Sequence, residues 1–480
     1  VMNPDVIVIG AGAIGLSVAY HLTQSKVSTL LVAPSLTNGV ASLAAGAMID
    51  AFGEMDQIQS SLDRLRLTVK VKAQQHYPGW LAQLEAESGL QIFQRSGLFL
   101  IGNHQGSNDR LQLQKIRQEM QGYGESYEEV DPRDVPGLQP HDRYPVFEAL
   151  FLKGAMTVDS QQLLAAIEQA ALRSSYYQRQ NDRVTAVIPP PSEKSWQVKT
   201  ETGTILAADK IVVCAGAYSL QVLGEPLAQQ AGLPPLYFGR GSGCVVTHAP
   251  PLPHGIRTPN RPLAAGVHLV PRAHNRLYLG ANNFFDTDLD QPFGSTIGDL
   301  HTLFEGVMNQ LNTGLHQASL VSTTWGLRPV TPWDQPILGK TRQPGLFVAT
   351  GTHRTGVHYA PIFAQWIVAD LQGQPIPDAL PFSPQSQEAI PPLSTTLREG
   401  VQALVGSLLA PQGQLPYDRQ QQLEQCLETL LKRSFPQVFV SEITENKNDR
   451  SDELLHWLQE IPGYKPALLR FFKAIQEKPI

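Results

Sequence analysis

Cysteine is scarce in this chain: there are three in 480 residues, Cys214, Cys244 and Cys426. They lie far apart and form neither a CxxC pair nor a metal-ligand spacing. That pattern argues against a disulfide framework or a zinc module, and no metal is expected. It fits buried, inert thiols in a reducing, cytoplasmic compartment. Excess positive charge is missing as well. The formal net charge is −6, which speaks against nucleic acid as the main partner. No apolar run approaches the roughly 18 residues that a membrane span requires. A basic segment leading into an apolar stretch is also absent, so no secretory leader is expected. What remains is the composition of an ordinary globular protein, 42% apolar and 17% charged, with enough chain for two or three domains.

The most informative stretch is Val6-Ile7-Val8-Ile9-Gly10-Ala11-Gly12-Ala13-Ile14-Gly15. Four branched aliphatics read as a buried parallel strand, and Leu16–Leu22 reads as a helix. Between them stand three glycines spaced GxGxxG. Gly10 permits the tight turn, Gly12 lets the backbone approach a pyrophosphate, and Gly15 lets helix and strand pack closely. The helix N-terminus then offers free N–H groups to phosphate. A strand before and a helix after are the context that makes this motif a dinucleotide site. One expected partner is missing. The second strand, Ser28–Val32, runs into Ala33 and Pro34 where a ribose-binding carboxylate normally stands. Backbone groups, or Ser35 and Thr37, are left to serve the ribose.

Further along, Gly39–Met48 is built almost wholly of small residues, as befits backbone running against a flat cofactor. A polar helix is expected from about Gln59 to Glu87, two strands within Leu90–Ile101, and a helix over Gln161–Leu172 capped by Asp159 or Ser160. Val184–Ile188 and Trp196–Thr200 suggest a small meander. Two more apolar strands end in glycine, Ile211–Gly216 and Leu346–Gly351, and alternating antiparallel strands are expected between Gly239 and Gly280. An apolar helix is expected at Ile362–Leu371. Residues 377–393 are rich in Pro, Ser and Gln and read as a linker. Beyond it, leucines at helical spacing suggest an all-helical appendage over 394–480, opened by the capping box Thr396-x-x-Glu399.

Three glycine-ended strands with β-rich material between them point to a two-domain flavoprotein rather than a nicotinamide enzyme. The fold class expected is α/β. A discontinuous FAD-binding Rossmann-like domain (1–88, 150–235 and 322–376) would be joined by a β-rich substrate domain (89–149 and 236–321) and the C-terminal helical appendage.

At this level of detail the chain resembles the D-amino-acid oxidase superfamily of FAD-dependent oxidoreductases, and most of all its glycine oxidases of thiamine biosynthesis. The resemblance covers roughly residues 5–375. It rests on the first glycine motif, the small-residue loop ending at Met48, Arg240-Gly241, Leu269-Val270-Pro271-Arg272, Trp325-Gly326-Leu327-Arg328-Pro329, and Gly351-Thr352-His353-Arg354-Thr355-Gly356-Val357.

The resemblance implies non-covalent FAD, because no cysteine stands near Trp325–Pro336, where the sarcosine oxidase branch tethers its flavin. It places Gly10, Gly12, Ala13, Ile14 and Gly15 at the pyrophosphate turn and Ala33 and Pro34 at the ribose. Ala41, Ser42, Gly46, Ala47 and Met48 lie along the ribityl chain and ring, Val184 at adenine, and Gly216 beside the cofactor. Thr352, His353, Arg354, Thr355, Gly356 and Val357 wrap the pyrimidine edge of the ring. Arg328 would hold a substrate carboxylate, with Arg354 at the same pocket. His268 takes the position of a tyrosine that assists the carboxylate in glycine oxidases; a core histidine is the alternative. Trp333, His358 and Tyr359 would crowd or line the pocket.

The implied reaction is hydride transfer from the α-carbon of a small amino acid or secondary amine to flavin N5, with O2 as acceptor and H2O2 as product. The chemistry asks for positioning and electrostatics rather than for a reactive side chain. Two alternatives stay open. One is a dehydrogenase that passes electrons to a quinone or another acceptor. The other is a flavin-fold scaffold whose helical appendage binds a protein partner or a second copy of the chain.

Overall fold

The computed structural model describes residues 4–384, apart from 56–57, 59–60, 104–106, 191–194, 248–249, 261–265, 287–288, 290–293 and 332–334, together with Gln425. Trp333, Cys426 and, but for Gln425, the expected helical appendage lie outside the described residues.

Val6–Ile9 forms a fully buried strand, and Ala13–Gln24 the helix that follows it. The strand pairs in parallel with Thr29–Val32 on one side and with Lys210–Val213 on the other. Lys210–Val213 pairs in turn with Leu346–Thr350. The three glycine-ended strands are therefore neighbours, and their glycines gather at one edge. Tyr177–Gln180 extends the sheet in parallel at one end, and Ile337–Lys340 closes the other end antiparallel. Such strands are buried on both faces, which is why they read as unbroken aliphatic runs. Helices Ala13–Gln24, Ser160–Leu172 and Gly356–Leu371 share one core with that sheet, built on residues such as Leu16, Ala19, Ile167, Ala360 and Phe363. The other face packs against a three-stranded antiparallel sheet of Val184–Ile188, Trp196–Thr200 and Ile205–Ala208.

The second sheet has eleven strands. Its centre is Tyr237–Thr247, which pairs with Ser319–Val330 on one side and Arg276–Gly280 on the other. Beyond Arg276–Gly280 come His268–Arg272, Gly255–Arg257, Gln94–Gly102 and Glu148–Val158. At its two ends this sheet takes in Gly39–Val40 and Met48–Ile49. Both belong to a loop that the sequence assigns to the nucleotide side. Ser319–Val330 likewise runs across the division expected at 322 and stays in the larger sheet throughout.

The helices fall close to expectation. Asp159 caps Ser160–Leu172 by accepting from the amides of Gln161 and Gln162. The polar helix spans Ser61–Ser88, and the last apolar helix starts earlier than expected, at Gly356. Leu90–Ile101 does not make two strands. It makes one, Gln94–Gly102, because side chains take the amides before it: Leu90 N–H donates to Ser88 Oγ, Ile92 N–H to Glu85 Oε1 and Phe93 N–H to Gln162 Oε1, at 3.1, 2.7 and 2.6 Å. A segment whose donors are already satisfied by side chains has none to give to a ladder.

Candidate active site

A cavity of about 530 Å³ opens where the glycine ends of the central strands meet the larger sheet. Gly10, Gly12, Ala13 and Ile14 form its first wall. Gly10 sits at φ +111°, and a Cβ there would overlap the carbonyl oxygen of Cys214, just past the neighbouring parallel strand. Gly15 is not in the wall; a Cβ there would strike the Gly10 carbonyl, so its role is close packing. The helix begins at Gly12, and the Ala13 amide donates to Ser42 Oγ at 2.9 Å. Ala33 and Pro34 line the cavity with Ser35 and Thr37. Their carbonyls accept from Arg179 at 3.2 and 3.3 Å, so backbone occupies the place of the missing acid. Val184 and Gly216 complete this end.

The other end is walled by Ala41, Ser42, Gly46, Ala47 and Met48. This loop is held to the larger sheet at several points. Gly326 lies so close that a Cβ there would stand 2.7 Å from the Cα of Ala41. Arg272 is buried, donates to the carbonyls of Ala45 and Gly46 at 3.3 and 3.1 Å, and faces Asp159 at 3.5 Å. Tyr278 donates its hydroxyl to the Ala44 carbonyl at 2.7 Å. Opposite stands the turn after Leu346–Thr350. Thr352, His353, Arg354, Gly356 and Val357 line the cavity, whereas Thr355 lines a smaller neighbouring one. Ala47 and His353 both take left-handed backbone angles, φ +49° and +47°. Two non-glycine residues in that region at one cavity mark backbone held against its preference.

The polar groups cluster at this second end. Arg328 reaches the cavity from Ser319–Val330 and donates to Asn282 O at 3.0 Å and Asn283 Oδ1 at 2.8 Å. Its guanidinium lies over Gly241, where a Cβ would overlap it. That contact explains the glycine after Arg240, a residue that itself pairs with Asp299. Burial lowers the Arg328 pKa to about 10, so it stays charged at neutral pH. Glu54 lines both cavities and pairs with Arg257 at 3.1 Å. Burial alone would raise its pKa, but the charges of Arg257, Arg354 and Lys70 hold it at about 2, an ionised carboxylate. Its neighbour Asp50 is shifted upward by burial.

His268 is brought to the same wall, stacked on Tyr278. His358 lines the cavity and bonds to Lys70 O at 2.9 Å, whereas Tyr359 stacks on Phe363 in the core. Glu54, Tyr278 and Asn283 are in or at the site without having been singled out in the sequence. The one local signal for Glu54 is the pair of acids, Asp50 and Glu54, bracketing a glycine just after the small-residue loop. Among the described residues no helix is long and apolar enough to cross a membrane, and no His/Cys/Asp/Glu group is arranged to hold a metal.

Comparison with known proteins places this geometry. The sequence profile of the FAD dependent oxidoreductase (DAO) family matches residues 5–370. The bifunctional protein ThiO/ThiG of Trichormus variabilis is 25% identical over 378 residues, 77% of this chain and 53% of the relative. The glycine oxidase of Bacillus subtilis is 26% identical over 380 residues, 76% of this chain and 92% of the relative. The chain thus spans about half the length of the bifunctional relatives it matches. Among solved structures, glycine oxidase from Geobacillus kaustophilus superposes with a TM-score of 0.69 at 22% identity, covering 80% of this chain and 98% of that one.

Proposed function

We propose, from the premise that this chain belongs to the FAD dependent oxidoreductase (DAO) family, that it oxidises the Cα–N bond of a small amino acid or secondary amine bearing a carboxylate. The products are an imine and, with O2 as acceptor, H2O2.

The cavity fits the cofactor. Its first wall is glycine and alanine backbone at a helix N-terminus, where a side chain on Gly12 would crowd Ser42 Oγ at 3.2 Å. Such a cradle suits a pyrophosphate. Gly10, Gly12, Ala13 and Ile14 would hold that group and Gly15 the packing behind it. Ala33 and Pro34 would meet the ribose, and Val184 and Gly216 the adenosine side. Ala41, Ser42, Gly46, Ala47 and Met48 would lie along the ribityl chain and ring. Thr352, His353, Arg354, Thr355, Gly356 and Val357 would hold the ring's far edge. Bound non-covalently there, FAD supplies the two-electron acceptor for the substrate's hydride.

The chain's own contribution is orientation and charge. Arg328 carries the reading: it is a half-buried guanidinium, fixed by Asn282 and Asn283, in the wall of the same cavity that the glycine helix opens. A planar fork held in this way binds a carboxylate in one orientation. Arg354 adds positive charge beside it, favouring the carboxylate and disfavouring a protonated amine. The test is anaerobic bleaching of the purified flavoprotein by D-, L- and N-methyl amino acids, followed by assay of peroxide on admitting air. Bleaching by carboxylate-bearing amines but not by simple alkylamines is expected. No bleaching by any of them would sink the assignment, and bleaching without peroxide would move the chain to the dehydrogenases.

A further inference from the structure

His268 faces the cavity in a state that fits it for one task. It is 5% exposed, and its Nδ1 lies 3.0 Å from the carbonyl oxygen of Gly266. A carbonyl oxygen only accepts, so in the neutral ring the single N–H is on Nδ1 and Nε2 carries a lone pair. The ring is neutral: burial, then the charge of Arg257, lowers its pKa to about 3. Nε2 has no hydrogen-bond partner among the described residues. Two glycines keep it clear. A Cβ at Gly280, directly across the strand pair, would overlap Nε2, and one at Gly46, in the cavity wall, would sit 2.9 Å from it. His268 lines the cavity, where a bound molecule can supply the donor that Nε2 lacks.

We propose that His268 Nε2 accepts the N–H of the substrate amine, so that an amino acid is held at two points, its carboxylate by Arg328 and its nitrogen by His268. This rests on the amine-oxidising reading above and assigns His268 the opposite end of the substrate from the one a tyrosine hydroxyl would serve. A hydroxyl can donate to a carboxylate; this imidazole, with its only N–H taken by Gly266, cannot. The substrate class follows: amines that keep an N–H, whether primary or N-monoalkylated.

The test compares His268→Gln and His268→Asn with the wild type. The glutamine oxygen can stand near the place of Nε2, and the asparagine oxygen stands nearer Nδ1. Half-saturation of anaerobic flavin reduction is measured with whichever of glycine, N-methylglycine and alanine bleaches the wild type best. Acetate, a carboxylate without an amine, is titrated by its perturbation of the flavin spectrum. Loss of one neutral hydrogen bond corresponds to about a tenfold weakening. That loss is expected for His268→Asn, with His268→Gln within about threefold of wild type and acetate unchanged in both. Equal weakening of acetate, or unchanged half-saturation in His268→Asn, would overturn the assignment of Nε2 while leaving the amine oxidation standing. A wild type that no amine bleaches would remove both.

Discussion

Arg328 and Gly241 form a unit at the scale of single residues. The guanidinium lies over a residue with no side chain, and its Nη1 is anchored by Asn282 and Asn283. A charge-assisted hydrogen bond contributes about 1.5–3 kcal/mol, so Arg328→Ala should raise the half-saturation for amino acids roughly ten- to a hundredfold and leave FAD in place. Arg328→Lys should recover only part, since a point charge lacks the fork. Gly241→Ala should act like a weaker Arg328→Ala, because its methyl group occupies the guanidinium's position. Flavin reduction against substrate concentration for the four proteins decides the matter, and normal half-saturation in Arg328→Ala would move the clamp elsewhere. Arg328 was legible through the Trp325–Pro329 motif of the family resemblance, and its place between Leu327 and Pro329 spoke against a surface ion pair. Asn283 and Tyr278 were not, because an amide between two strands and an aromatic in an alternating strand look the same whether they face a site or a core.

At the scale of elements, the strand–glycine–helix opening was legible almost to the residue, since its chemistry is local. The fastening of the small-residue loop was not, since its partners, Arg272 and Tyr278, are more than 220 positions away in sequence. Arg272 was visible only as the end of a motif; in the fold it holds two half-buried loop carbonyls. Arg272→Ala should therefore weaken FAD binding, because it leaves the Gly46 carbonyl without this donor, a loss of about 1–3 kcal/mol if it stays dry, whereas the Ala45 carbonyl keeps the Ser160 hydroxyl at 3.1 Å. Gly12→Val should abolish binding, since its branches would fill the space beside Ser42. Flavin content after desalting, with circular dichroism to verify the fold, separates the two. Full flavin in Gly12→Val would dismiss the proposed pyrophosphate site.

At the scale of the whole molecule, His21, His268 and His358 weaken the described fold on the acid side. Burial lowers the pKa of His21 and His358 to about 4 and that of His268 to about 3, from an ordinary 6.5. Below pH 6.5 the unfolded chain takes up protons that the folded one refuses, so stability falls with pH, by up to about 1.4 kcal/mol per pH unit for each histidine. The melting temperature should drop between pH 6.5 and 4, ahead of the carboxylate range, and His21→Gln should flatten that slope; a flat profile in the wild type would refute the account. The order of the central sheet has a consequence for birth on the ribosome. Val6–Ile9 is made about 200 residues before its neighbour Lys210–Val213, which at about 5–20 residues per second is a wait of roughly 10–40 s. The outer neighbour, Leu346–Thr350, comes later still. Until Cys214 emerges, the Gly10 turn lacks the neighbouring backbone it packs against. For those roughly 200 residues the nascent chain carries an unpaired aliphatic strand edge, and the nucleotide cavity is incomplete until Leu346–Thr350 and the turn after it have been made.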